Sequence, residues 1–362
     1  MWDEPLTVQT PAVDAVPDDE LEYRYYRPLP WAADEFVAQA RTLTSGQRIY
    51  TGIDVFDEAM RGLAPKELMV VQGFAHSGKT LFTTAMLQHN RNRRIVLFTA
   101  DEDRVLVLVK LTSLVTGVSA EQLEYGTANG DAETEALVRD VATYEFPNLA
   151  VFDQVNDLRT MSKAMDEVRH AWGAEPELTV FDYLDLLQHG DGDGNTSAKF
   201  NAIKAWGKRQ DVPLVLLHQA SRTGGKDGAE ITLTSGAYGG EQQATFVVGV
   251  RRKKAWYRAQ IAEIKEKLAA QANPSEALQD KLRELEYDLS QHQNTVTFNL
   301  VKNKRPPSRL VDEVDFTLDP NTGALRPYEG KALNVRTSSV GRMTAADVVG
   351  KRSWSQPSMP DF

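Results

Sequence analysis

Between residues 68 and about 250, short apolar runs alternate with longer stretches of helical periodicity. The runs 68–72, 95–99, 149–152, 178–181, 214–217 and 246–250 are almost continuously apolar. A strand buried on both faces reads this way, whereas a strand with one wet face alternates. Runs this short, separated by helices, predict a mainly parallel twisted sheet flanked by helices, an α/β fold. No internal repeat at solenoid or propeller periods is present.

The flanks follow other patterns. Residues 1–45 are read as an N-terminal arm: the first 30 are rich in Pro, Asp and Glu without a sustained period, which is typical of flexible chain. Within the arm, 31–40 (WAADEFVAQA) offers Trp31, Phe36, Val37 and Ala40 as the apolar face of a short helix. Residues 46–250 form the predicted core. From 251 to 292, Ile261, Ile264 and Leu268, then Leu278, Leu282, Leu285 and Leu289, are spaced three and four apart. That spacing predicts an inserted antiparallel, coiled-coil-like helical hairpin, and Asn273-Pro274-Ser275-Glu276 reads as the start of its second helix. The hairpin's charged exterior is a solvated face in the simplest reading; Arg251-Arg252-Lys253-Lys254 at its base also admits contact with DNA or a partner. Residues 293–331 hold two further strand patterns, at 295–301 and 314–318, which return the chain to the core. Residues 332–362 are rich in Ser, Thr, Gly and Pro and predict a disordered tail, whose tip Met359-Pro360-Asp361-Phe362 can dock on partners.

Composition excludes more than it selects. No run nears the roughly 18 apolar residues of a membrane span, and Met1-Trp2-Asp3-Glu4-Pro5 lacks the order of a signal peptide. With Cys at 0, disulfides, thiolate metal sites and a cysteine nucleophile are ruled out, and a cytoplasmic location is expected. The net charge of −10 argues against coating nucleic acid by bulk attraction but leaves a local basic channel open.

The chemistry begins at Gly73-Phe74-Ala75-His76-Ser77-Gly78-Lys79-Thr80, which matches G-x-x-x-x-G-K-[ST]. In such a loop the glycines let backbone N–H groups turn toward phosphate oxygens, the lysine supplies a point charge to the β- and γ-phosphates, and the hydroxyl ligates Mg²⁺. The flanking apolar run and helical 81–87 supply the strand–loop–helix context the motif requires. ATP and Mg²⁺ are the expected ligands. A second carboxylate must hold the metal shell, and Asp182, closing the run 178–181, is that candidate. Asp101, Glu102 and Asp103 follow the run 95–99, and one of them is expected to position or deprotonate the attacking water. His218-Gln219 closes another run, and Gln219 is suited to sense the γ-phosphate through its amide.

The order of these pieces is similar to the RecA-like ATPase domain of the DnaB family of replicative helicases, in a compact, phage-like form, from about Arg48 to Glu329. Tyr50-Thr51-Gly52-Ile53-Asp54 with Gly62-Leu63 resembles that family's lead-in. Phe181-Asp182-Tyr183-Leu184-Asp185-Leu186 resembles its D-Y-L-Q-L strand end, with Asp185 in place of Gln. Asp211-Val212-Pro213-Leu214 with His218-Gln219-Ala220-Ser221-Arg222 resembles N-V-P-V…S-Q-L-N-R, and Ser235-Gly236-Ala237 with Glu241-Gln242-Gln243-Ala244 resembles S-G-A-I-E-Q-D-A. Val301-Lys302-Asn303-Lys304, followed by prolines after Arg305, resembles instead the K-N-K segment of RecA recombinases.

The resemblance implies an oligomer, a hexameric ring, with ATP held between subunits. Lys302 and one of Lys304 or Arg305 would act on the neighbour's nucleotide. Helicase spacing selects Asp101 as the catalytic carboxylate and RecA spacing selects Glu102; a glutamate is what both families use, which favours Glu102. Residues 31–40 hold the place of the helicase linker helix. The implied partner is single-stranded DNA, gripped by Arg222 and Lys226 in the loop after Gln219, with replication or recombination proteins reached through the tail. The leading expectation is an ATP-driven single-stranded DNA translocase or helicase. A filament-forming recombinase or mediator and an ATP-gated scaffold are the alternatives.

Overall fold

The computed structural model describes residues 29–43, 46–188, 196–220, 228–233, 235, 243–271 and 275–328. The loop carrying Arg222 and Lys226, the first 28 residues and the tail 332–362 lie outside the described residues. The chain divides into two units, 1–47 and 48–362. In the first, α1 (Leu29–Arg41) leaves Leu29, Phe36 and Val37 exposed.

The second unit begins with α2 (Asp54–Met60) and is built on one sheet. Its strands in chain order are β1 (Leu68–Gly73), β2 (Ile95–Thr99), β3 (Leu149–Phe152), β4 (Leu178–Asp182), β5 (Leu214–Gln219), β6 (Phe246–Arg252), β7 (Thr295–Asn303), β8 (Val311–Leu318) and β9 (Leu325–Pro327). Their order across the sheet is β3-β2-β4-β5-β1-β6-β7-β8-β9. The first six are parallel and the last three antiparallel. The helices between them are α3 (Lys79–His89), α4 (Arg104–Thr116), α5 (Ala120–Ala128), α6 (Ala132–Asp140), α7 (Leu158–Trp172) and α8 (Thr196–Gln210).

The apolar runs work because alternate residues serve two cores. Met69 and Val71 of β1, with Ile95 and Leu97 of β2, face Phe56, Phe82, Met86 and Leu111 of α2, α3 and α4. Leu68, Val70, Val96 and Phe98 face Met161, Met165, Phe200 and Trp206 of α7 and α8. Strand β7 alternates even though both its faces are buried: Val296, Phe298 and Leu300 enter the first core. Its other face carries polar groups: Thr297 donates to Asp315 at 2.6 Å and the Asn299 amide donates to the Ile231 carbonyl at 3.0 Å. Phe82 meets Phe298 edge-on at 5.4 Å, an arrangement that contributes about 0.5–1.5 kcal/mol beyond buried area and seats α3 on the sheet.

Between β6 and β7 stand α9 (Lys253–Ala269) and α10 (Glu276–Gln291). They close on Ile261, Ile264 and Leu285, with Trp256, Leu268, Leu282 and Leu289 against them. The N-cap of α10 is Ser275, so the helix starts later than the Asn-Pro signal predicts. No single helix among the described residues is long and apolar enough to cross a membrane.

Candidate active site

Because β2, β4, β5 and β1 are adjacent and parallel, their carboxyl ends line one edge of the sheet, where such folds bind ligands. The register pairs Thr99 with Asp182 and Gly73 with Gln219. A cleft of about 710 Å³ opens there, lined among others by Ser77, Lys79, Thr80, Asp101, Glu102, Asp182 and Gln219. Residues drawn from four separate stretches of sequence thus meet around one space.

Backbone geometry makes the phosphate loop. Gly78 sits at φ 103°, a left-handed conformation that disfavours side chains, and opens α3. A Cβ on Gly73 would lie 2.3 Å from the Ser77 hydroxyl and 2.5 Å from the Val250 carbonyl. The free N–H groups at the start of α3 face the cleft, a ready anion site. The Lys79 ammonium donates to the carbonyls of Gly73 and Phe74 at 3.1 and 3.0 Å. Burial pushes its pKa down, against the pull of Asp182, Asp185 and Asp101.

Asp182 is 8% exposed. Burial first, then the negative charges of Glu102 and Asp101, push its carboxyl up to about 7, with Lys79 and Lys110 pulling the other way. Concentrated, under-neutralised carboxylates beside the Thr80 hydroxyl form an all-oxygen donor set, which fits a hard cation held together with phosphate. Among the described residues no group of three His, Cys, Asp or Glu could hold a metal unaided, as expected where substrate phosphates complete the shell. Thr80 and Asp182 are the residues that would hold Mg²⁺.

The three carboxylates after β2 part company. The Asp103 side chain caps α4, accepting from the Val105 N–H at 2.6 Å. Asp101 is exposed at the mouth of the cleft. Glu102 is held by Thr99, whose hydroxyl donates to its carbonyl at 3.0 Å and accepts from its N–H at 3.1 Å; its carboxylate pairs with Lys110 of α4. Asp185 lies 3.6 Å from His218 and accepts from the Gln219 N–H at 3.5 Å. Burial opposes its charge, but the bond and charge of His218 outweigh it and hold Asp185 below the usual carboxylate range.

Lys302, Lys304 and Arg305 do not join this cleft. Strand β7 is antiparallel and Asn303 pairs with Phe246, the first residue of β6, while Met69 near the start of β1 also pairs with Phe246. The segment therefore lies at the opposite edge of the sheet, a strand length of roughly 15 Å from the phosphate loop. There the three differ. Lys304 is exposed, its ammonium donating to the Gln243 carbonyl at 3.3 Å. Lys302 is half-buried. Arg305 is engaged with Glu67 and with the carbonyls of Met60 and Gly62.

Lys110 and Arg252 also line the cleft and escape a motif-based reading, as does Tyr183 beyond its place in the D-Y-L segment. The available signal for Lys110 is its isolation, as the sole charge among the residues of α4 after Arg104. The basic run at the base of the hairpin is not one patch: Arg251 grips Glu313, Lys253 pairs with Asp315, and Arg252 turns into the cleft.

A parallel-sheet edge carrying a phosphate loop, a strand-end acid and a strand-end glutamine defines a RecA-like P-loop ATPase domain. Residues 48–277 match the model of the DnaB-like helicase C-terminal domain, and the chain belongs to that family. It is 25% identical over 182 residues to a probable replicative DNA helicase of Guillardia theta, covering 48% of this chain and 30% of that protein. It is 22% identical over 185 residues to the replicative DNA helicase DnaB of Pasteurella multocida, covering 48% of this chain and 39% of that protein. The chain thus matches well under half the length of these curated relatives. One solved structure, described as an ATPase domain, superposes with TM-score 0.61 at 15% identity, covering 82% of this chain and 98% of that one. A DnaB-like replicative helicase, described with its interactions with primase, gives 0.60 at 15% identity, covering 82% and 66%. These two likenesses show the fold.

Proposed function

We propose that this chain is an ATP-driven single-stranded DNA translocase of the helicase type, acting in replication as a ring, with each nucleotide shared between subunits. The observation that carries the reading is the split site. Phosphate loop, carboxylates and Gln219 stand at one edge of the sheet, and Lys302 and Lys304 at the other. One copy cannot bring both to one nucleotide, whereas copies arranged head to tail can, in a ring where the rotation closes and in a filament where it does not.

In this reading Lys79 leaves its own loop carbonyls for the β- and γ-phosphates. Thr80 and Asp182 would hold Mg²⁺, which would offset phosphate charge. Glu102 takes a proton from water as the water oxygen bonds to the γ-phosphorus and the bond from that phosphorus to the bridging oxygen breaks, releasing ADP and phosphate. Lys304 of the adjoining copy stabilises the charge that develops, and it is favoured over Arg305 because it is exposed. Gln219 meets the γ-phosphate two residues before the loop start at Ser221, and Arg222 and Lys226 in that loop are the proposed DNA contacts. Such a protein works on DNA in the cytoplasm.

The test is ATP turnover with and without single-stranded DNA, alongside imaging of the assemblies. Closed rings with stimulated turnover are expected. Helical filaments would instead establish the recombinase that the K-N-K segment resembles, and nucleotide binding without turnover would establish a scaffold.

A further inference from the structure

We propose that Lys110 is a latch on Glu102, which holds the carboxylate out of action in the nucleotide-free cleft and releases it when a γ-phosphate arrives. The inference rests on the reading of Glu102 as the residue that activates water.

Position comes first. Val107 and Leu111 are buried in the core and fix the roll of α4. Lys110 is thereby turned into the cleft with Ser113 and Leu114. There the Lys110 ammonium pairs with Glu102. Glu102 is equally constrained: its main chain is tied in both directions to the Thr99 hydroxyl, and its side chain is 18% exposed. Only the two side chains are free to part.

Chemistry follows from the contact. A carboxylate oxygen facing an ammonium cannot accept a proton from water without placing it beside a cation. A general base must also stand within hydrogen-bond reach of that water. With the ion pair closed, the Oε1 of Glu102 is turned to Lys110 rather than offered to that water. Lys110 shares the cleft with Lys79 and Thr80, so a γ-phosphate bound there presents more negative charge than one carboxylate can. A lysine's flexible stem lets the ammonium swing to it while α4 stays seated. ADP, lacking that group, leaves the latch shut.

The experiment is DNA-free ATP turnover of the full chain bearing Lys110→Met, with thermal melting to confirm the fold. The expected result is a rise of roughly five-fold, since the ion pair no longer has to be broken in each turnover before Glu102 can act as base. The gain should vanish in the K110M/E102Q double variant, and Lys110→Arg, which returns a cation, should bring the rate back down. A folded K110M with unchanged or lower turnover overturns the latch, as does a gain that survives E102Q. Full turnover in E102Q alone would instead overturn the role of Glu102. Should K110M not fold, acylation of the Lys110 amine in the unaltered protein, read by peptide mass, decides the matter. Reactivity must change with a non-hydrolysable ATP analogue and not with ADP; equal effects overturn the proposal.

Discussion

The guanidinium of Arg305 closes a two-pronged ion pair on the carboxylate of Glu67, while its remaining donor reaches the carbonyls of Met60 and Gly62 at 2.7 and 2.8 Å. The pair is 14% and 19% exposed and joins the end of β7 to the end of α2 and the start of β1. Removing one member leaves the other charge and the helix-end carbonyls without partners. Arg305→Ala should therefore cost about 3–5 kcal/mol in denaturant unfolding. Exposed Lys304→Ala should cost under about 0.5 kcal/mol while lowering turnover of the assembled protein. An Arg305→Ala variant of normal stability and no turnover would reverse these roles.

The raised carboxyl of Asp182 makes two pH dependences of opposite sign. The unfolded chain releases this proton near 3.8, the folded chain at about 7. The folded state therefore holds a proton the unfolded state has lost. The resulting stability is full below about 4 and is lost as pH rises to about 7, at up to about 1.4 kcal/mol per pH unit. Subtracting the Asp182→Asn unfolding profile should isolate it.

Binding runs the other way, because Mg²⁺ requires the charged carboxylate. Affinity for Mg²⁺ with nucleotide should climb between about pH 6 and 8, with release of up to one proton. Calorimetry in two buffers of different ionisation heat measures that proton, and a pH-independent affinity would refute the assignment of Asp182.

Gly73→Ala tests the loop. The new methyl meets the Val250 carbonyl, part of β6 and unable to yield, so overpacking should cost about 1–3 kcal/mol. Fluorescent-nucleotide titration should show the loop opened, with affinity down at least roughly ten-fold, a loss of about 1.4 kcal/mol. Retained affinity would mean the loop tolerates the shift.

The hairpin is expected to be dispensable for the core. Strands β6 and β7 pair from Phe246 with Asn303 to Arg252 with Val296, so a short turn replacing residues 254–293 joins neighbours. The shortened chain should melt cooperatively and bind nucleotide within about three-fold of the full chain, a change under about 1 kcal/mol. Aggregation or lost binding would show that α9 and α10 support the sheet.

How much of this is legible in the sequence depends on how local each cause is. Strands β1, β2, β4, β5 and β6 are readable because both faces are largely buried, which writes continuous apolar runs, and half-buried β3 carries such a run too. Strand β9 is not, being Leu325–Pro327 and ending in proline. The phosphate loop is contiguous, and Asp182 and Gln219 end their strands, so the cleft's framework is readable too. Arg252 escapes because the apolar run stops at Val250; carried on to Arg252, strand alternation separates it from Arg251. The engagement of Arg305 is invisible, since its partner Glu67 lies 238 positions away. Helix α4 is apolar all round, so periodicity cannot say where Lys110 faces.

Strand β6 ends at Arg252 and α9 begins at Lys253. With no intervening linker, the hairpin behaves as a mast stepped directly into the sheet. Its 17 residues raise the tip about 25 Å above the root. A turn of the core by about 10° then sweeps that tip through roughly 4 Å. Small rotations of the ATPase domain are in this way enlarged at the far end of α9, where a spectroscopic label would record them as distance.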